Sequence, residues 1–157
     1  MENNVINENG LLESLREEFA LETQDLNLYS PLVLAYMGDC IYELIIRTIL
    51  VERKNCAVQK LHKEATWYVK AASQAKIAEG LLNAELLSEE ELSVYKRGRN
   101  AKSHTVPKHA EMKDYRKATG LEALLGYLFL KKDMARVIFL VKKGLAILQD
   151  ANEEENQ

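Results

Sequence analysis

The sequence predicts an all-α domain, and three observations carry that expectation. Only two prolines and seven glycines punctuate 157 residues. No run of five or more positions alternates apolar and polar residues between turn signals, as a half-buried strand would. Apolar residues instead return at intervals of three and four along most of the chain, the spacing of one helix face. With 47% hydrophobic and 29% charged residues, there is material for one core, and no uncharged apolar run of membrane-spanning length interrupts it.

The elements follow in order. Leu12, Leu15 and Phe19 predict a short amphipathic helix within an acidic N-terminal arm, residues 1–27. Ser30-Pro31 opens a long helix to about Glu52: the serine oxygen caps free amides, and the proline sits where no amide partner is needed. Val58, Leu61, Ala65, Val69 and Ala72 mark a second helix, which Gly80 should weaken or end. Ser88-Glu89-Glu90-Glu91 has capping-box spacing and opens a third, expected to break near Gly98. The stretch from there to about Ala110 holds Pro107 and reads as a loop. Helices over Tyr115–Leu130 and Met134–Leu148 close the body, residues 28–149, before an acidic tail over 150–157.

The net charge of −3 conceals a division. Residues 1–27 carry seven acids against Arg16, and the tail carries four acids and no base, which leaves the body at +7. A polyanionic partner is therefore open despite an acidic whole. Met1-Glu2-Asn3-Asn4 lacks the basic start and apolar run of a secretory signal, so a cytoplasmic setting is expected, with no membrane association. Two cysteines, Cys40 and Cys56, make neither a disulfide framework nor a zinc cluster, and Cys40 is expected to pack in an apolar helix. His62, His104 and His109 show no metal-binding spacing.

Two acids stand where apolar residues prevail. Asp39 is the only charged residue between Leu26 and Tyr42, and Glu122 the only one between Ala118 and Leu130. Helices that are apolar nearly all round are buried, and a buried carboxylate is unfavourable unless a cation or dense hydrogen bonding compensates it. Each acid therefore requires a partner. One reading supplies Arg47 or another basic side chain to each as a structural ion pair. The other has the two helices cross, with Gly38 and Gly126 permitting close approach, so that both acids converge on a divalent cation. Magnesium suits the second reading, since it accepts one or two carboxylates and fills its octahedron with water and phosphate oxygens. Glu43, one turn after Asp39, is placed to join them directly or through water. Spacing alone leaves both readings open.

Leu34-Ala35-Tyr36-Met37-Gly38-Asp39-Cys40-Ile41-Tyr42-Glu43 resembles the signature helix of the ribonuclease III family, and Leu121-Glu122-Ala123-Leu124-Leu125-Gly126 is similar to that family's second metal-binding helix. With Lys96-Arg97-Gly98-Arg99-Asn100-Ala101-Lys102-Ser103 between them, the order resembles the Mini-ribonuclease III branch, over roughly Leu28 to Leu148. The resemblance implies a ribonuclease III-type helical endonuclease domain, dimeric, that cuts double-stranded RNA with magnesium to leave 5′-phosphate and 3′-hydroxyl ends. In this branch the substrate would be the ends of the 23S ribosomal RNA precursor, with a ribosomal protein on that precursor as a further partner. It carries the catalytic and metal-binding roles onto Asp39 and Glu122. Two further family acids fall on Ala35 and Thr119 here, and a remaining one finds no secure place among Glu64, Glu79 and Glu85. Those departures keep a second expectation alive, a non-catalytic RNA-binding or ribosome-assembly module on the same fold.

Eight basic residues against two acids lie between Lys96 and Lys117, a local +6 that can follow a phosphate backbone. Lys60, Lys63, Trp67, Lys70 and Gln74 fall on one face of the second helix, a ridge suited to the shallow groove of A-form RNA. The RNA-contacting candidates are Lys60, Lys63, Lys70, Arg97, Arg99, Asn100, Lys102 and Lys108. A two-fold homodimer would set two sites against opposite strands, with the apolar signature helix, Tyr36 and Tyr42 included, as an interface element. The chain after Leu148 is too short for a separate duplex-binding domain, so affinity is expected to come from the body itself.

Overall fold

The structure, a computed structural model, describes residues 10–102 and 111–157. Among them seven α-helices form and no strand. After α1 (Gly10–Glu18), α2 runs over Pro31–Arg53, starting where Ser30 Oγ accepts from the Val33 amide at 3.2 Å with Pro31 in the first turn. The Ser88 capping box is complete at the head of α5 (Glu89–Asn100): Ser88 Oγ accepts from the Glu91 amide, and the Glu91 carboxylate accepts from the Ser88 amide. Asp133 caps α7 (Met134–Glu155), which runs past the expected end at Leu148 into the acidic tail.

The centre of the fold is α6 (Met112–Leu130). From Ala118 to Phe129 every residue except Glu122 is buried, enclosed by α2, α5 and α4 (Ala71–Asn83), with α7 across α4. Small residues let neighbours come close. A Cβ on Gly98 would lie 2.7 Å from Ala123 Cβ and 3.0 Å from Gly120 Cα, so α5 and α6 touch backbone to backbone. α5 ends at Asn100, two residues past Gly98 and so near the expected break, and Gly98 is also the residue that allows α5 to pack. Gly80, by contrast, lies inside α4 against Ile147 of α7 and ends nothing. A paired Glu91 and Arg136, at 2.9 Å and largely out of water, ties α5 to α7, and Arg136 also donates to the Leu86 carbonyl at 2.7 Å.

The second expected helix is two. α3 (Val58–Val69) stops, Lys70 is extended with φ −61° and ψ 151°, and α4 begins at Ala71. Neither glycine nor proline stands there. The break strands the carbonyls of Trp67, Tyr68 and Val69 without helical donors, and three side chains take them up. Ser73 Oγ donates to Trp67 O at 2.5 Å, Tyr42 Oη to Tyr68 O at 2.8 Å, and Gln74 Nε2 to Val69 O at 2.9 Å. The turn of direction removes Gln74 from the expected lysine ridge and buries it, 2% exposed. Tyr42 is likewise in the core rather than on an outer face, and Cys40, expected to pack, is exposed.

Candidate active site

The α2–α6 crossing sets the geometry. A Cβ on Gly38 would lie 1.6 Å from the Glu122 backbone oxygen, and one on Gly126 would lie 1.9 Å from the Leu34 oxygen and 2.9 Å from Gly38 N. Only glycine fits at either place, and the two helices meet there main chain to main chain. Asp39 follows Gly38 and Glu122 is the residue Gly38 touches, so the crossing itself brings the two acids together.

Their electrostatics reflect that closeness. Desolvation, then the charge of Asp39, push Glu122 up to about 8, partly offset by the Gln74 amide lying against its carboxyl. Asp39 is also raised, by desolvation and by the charge of Glu43, although much of its surface remains open to water. Asp39 is thus less deeply placed than an apolar helix led us to expect, and Glu122 is the inner member. Among the described residues neither acid has a salt bridge. Arg47 pairs instead with Glu43 at 2.9 Å, which removes the structural ion pair offered for Asp39.

Ala35 and Thr119 are both buried, and Thr119 Oγ1 donates to Tyr115 O at 2.9 Å. Glu79 is committed to Lys117, and Glu85 sits in the turn after α4 with φ 54°. The charge of Glu64 is felt by Lys54 and Lys60. Among the described residues no three His, Cys, Asp or Glu side chains cluster as a metal set. The third polar group at the pair is Gln74, which an unbroken helical count places on the surface. Its Oε1 is buried without a hydrogen-bond partner, which leaves an acceptor unsatisfied at a cost of about 1–3 kcal/mol.

The basic candidates divide between two places. Arg97, Arg99 and Asn100 end α5 with Lys102 just beyond, and Arg97 and Asn100 line a cleft of about 580 Å³ with Lys96, Glu89, Leu92, Ser93 and Pro31 at the start of α2. The Arg99 guanidinium lies 5.8 Å from the centre of the Tyr95 ring, and its Nε donates to Asn100 Oδ1 at 3.2 Å. Lys60 and Lys63 are exposed on α3, and Lys70 is exposed at its junction with α4, one turn before Gln74. Lys54, which sequence reasoning missed, is lowered by a side-chain hydrogen bond with Lys60 and then by the like charge of that neighbour. Lys108 falls outside the described residues, as do His104, Pro107 and His109.

Residues 32–133, from the start of α2 to just past α6, match the ribonuclease III domain family. The chain belongs to the ribonuclease III family. Its similarity to proteins called Mini-ribonuclease 3 is extensive: 41% identity to that of Clostridium tetani over 91% of this chain and 93% of the relative, and 44% to that of Enterococcus faecalis over 83% and 99%. A crystal structure of a Fusobacterium nucleatum protein superposes with a TM-score of 0.69 at 31% identity, covering 76% of this chain and 95% of that one. The chain accordingly has the all-α ribonuclease III-type fold and the Mini-ribonuclease III resemblance read from its motifs. Membership makes it an endoribonuclease of the double-strand-specific class, and the reading as a non-catalytic module gives way. No described helix is long and apolar enough to cross a membrane.

Proposed function

We propose that this ribonuclease III-family chain is a magnesium-dependent endonuclease in which Asp39 and Glu122 together hold the cation. It cuts double-stranded RNA to 5′-phosphate and 3′-hydroxyl ends, with the ends of the 23S ribosomal RNA precursor as its substrate in the cytoplasm. The observation that supports this best is the meeting of two carboxylates, both raised, at a glycine crossing where no described basic side chain pairs with either. Two carboxylates with water and phosphate oxygens fit magnesium, and a doubly charged ion would relieve the mutual repulsion that raises Glu122. When bound, the ion supplies Lewis acidity that activates water for in-line attack and neutralises charge at the departing 3′-oxygen. Glu122 anchors from the inner side of the crossing, while Asp39, open to water, faces the incoming backbone. No side-chain nucleophile is required.

RNA is held by charge and shape. Arg97, Arg99, Asn100 and Lys102 at the end of α5, with Lys108, and Lys60, Lys63 and Lys70 along α3 and its end, are the proposed phosphate and ribose contacts. Lys54, next to Lys60, adds a further basic residue to that face. Val33, Tyr36 and Leu44 form an exposed apolar strip along α2 with Cys40 between them, Tyr36 being 79% exposed, which supports a two-fold homodimer closing on that helix beside Asp39. Of the two tyrosines expected at such an interface, only Tyr36 is available. A ribosomal protein bound to the precursor is the further partner in this reading.

A duplex-cleavage assay tests the proposal. Wild type should cut in magnesium and not in chelator, and Asp39→Asn should fold and bind the duplex without cutting it. Undiminished cutting by both Asp39→Asn and Glu122→Gln would overturn the metal assignment.

A further inference from the structure

We infer that Gln74 is the positioning residue of the carboxylate pair, its amide anchored on the Val69 carbonyl and holding Glu122 in place. The inference rests on the reading of Asp39 and Glu122 as the cation's ligands and goes beyond it. Four observations converge on this one side chain. Gln74 is almost wholly buried, its Nε2 donates to the Val69 carbonyl, and its Oε1 has no partner. It also lies against the Glu122 carboxyl.

The amide orientation is fixed by chemistry. Val69 O lacks a helical donor because the chain breaks at Lys70, and a carbonyl there must face an N–H rather than a second oxygen. Nε2 is therefore the atom toward Val69. Its second hydrogen remains for Glu122, and Oε1 becomes the group left over. An apolar residue of the same shape at position 74 would avoid that unsatisfied acceptor but would supply neither interaction. Glu64, Glu79 and Glu85 lie between the two acidic helices in sequence, and none of them acts on Glu122; the neutral amide does. A carboxylate at position 74 would add a third negative charge to a pair already in mutual repulsion, whereas an amide orients Glu122 without doing so.

Calorimetric titration of the full chain with magnesium, in the absence of RNA, separates the possibilities. Gln74→Met, of similar volume, should keep the helical circular dichroism and bind magnesium roughly 10- to 100-fold more weakly than wild type. A folded Gln74→Met with unchanged magnesium affinity would overturn the inference while leaving the carboxylate assignment standing. Should that variant fail to fold, the Gln74 side-chain amide signal of the wild-type protein in a ¹H–¹⁵N spectrum decides. It should move on addition of magnesium and stay still in Glu122→Gln, and a signal unmoved in wild type during saturable binding would refute the role. Magnesium affinity unaltered in both Asp39→Asn and Glu122→Gln would remove the underlying assignment, and the inference with it.

Discussion

The Cα of Gly38 points at the backbone oxygen of Glu122 with no room for a side chain between them: an added Cβ would lie 1.6 Å from that oxygen. One acid of the site thus begins where its neighbour's backbone touches the other acid. The spacing of the carboxylates is consequently a property of helix packing, set by rigid elements, and not of a mobile loop.

Gly38→Ala and Gly126→Ala should each force α2 and α6 apart, because both glycines abut backbone atoms that cannot rotate away. Alanine gains up to about 1 kcal/mol in helix propensity, and overpacking against main chain should exceed it, for a net loss of about 2 kcal/mol or more. Urea unfolding measures this directly. Stability equal to or above wild type in both variants would show that the helices do not meet so closely.

Without metal, stability should fall as pH rises. Glu122 has an ordinary value of 4.5 and is pushed up to about 8 in the fold by desolvation and then by Asp39. Between those values the folded chain holds a proton the unfolded chain has released, so this group's contribution declines from about pH 4.5 to about pH 8 and is level above. Magnesium should restore stability most at the alkaline end, where Glu122 is ionised. Unfolding curves from pH 5 to 9, in chelator and in magnesium, should show the decline only in chelator and show it reduced in Glu122→Gln. A flat profile in chelator would contradict it.

The parts of the fold set by local chemistry could be read from the sequence, and those set by distant partners could not. Ser30-Pro31 and Ser88 to Glu91 carry their own caps, so α2 and α5 begin where the residues require. The break at Lys70 has no local signal, because its carbonyls are satisfied by Tyr42 from another helix and by Ser73 and Gln74 beyond the turn. Gly98 marks the end of α5 to within two residues, but its packing role depends on distant partners: its missing side chain lets Gly120 and Ala123 approach. At the site, Asp39 and Glu122 stand out as charges in apolar helices. Gln74, uncharged and assigned to a surface ridge by an unbroken helical count, has no such contrast.

Arg97→Ala combined with Arg99→Ala should weaken duplex binding and flatten its salt dependence by roughly one unit of logarithmic slope for each phosphate that is no longer neutralised. Both residues stand at the open end of α5, so the fold should be little affected. Fluorescence anisotropy over a range of potassium chloride reads the slope, and an unaltered slope would take the end of α5 out of the interface.

Tyr36→Glu places a charge at the centre of the exposed apolar strip of α2. As a surface change it should alter stability by no more than about 0.5 kcal/mol, yet light scattering should report a monomer in place of a dimer. Cutting of both strands should be lost along with the second site. An unchanged dimer mass would place the interface elsewhere.

The most direct test of the central claim is anomalous scattering from crystals soaked in manganese, which replaces magnesium at hard oxygen sites. The account predicts a peak ligated by one oxygen of Asp39 and one of Glu122, abolished in Glu122→Gln. A peak bound elsewhere, or carboxylates turned away from each other with no ion between them, would contradict it.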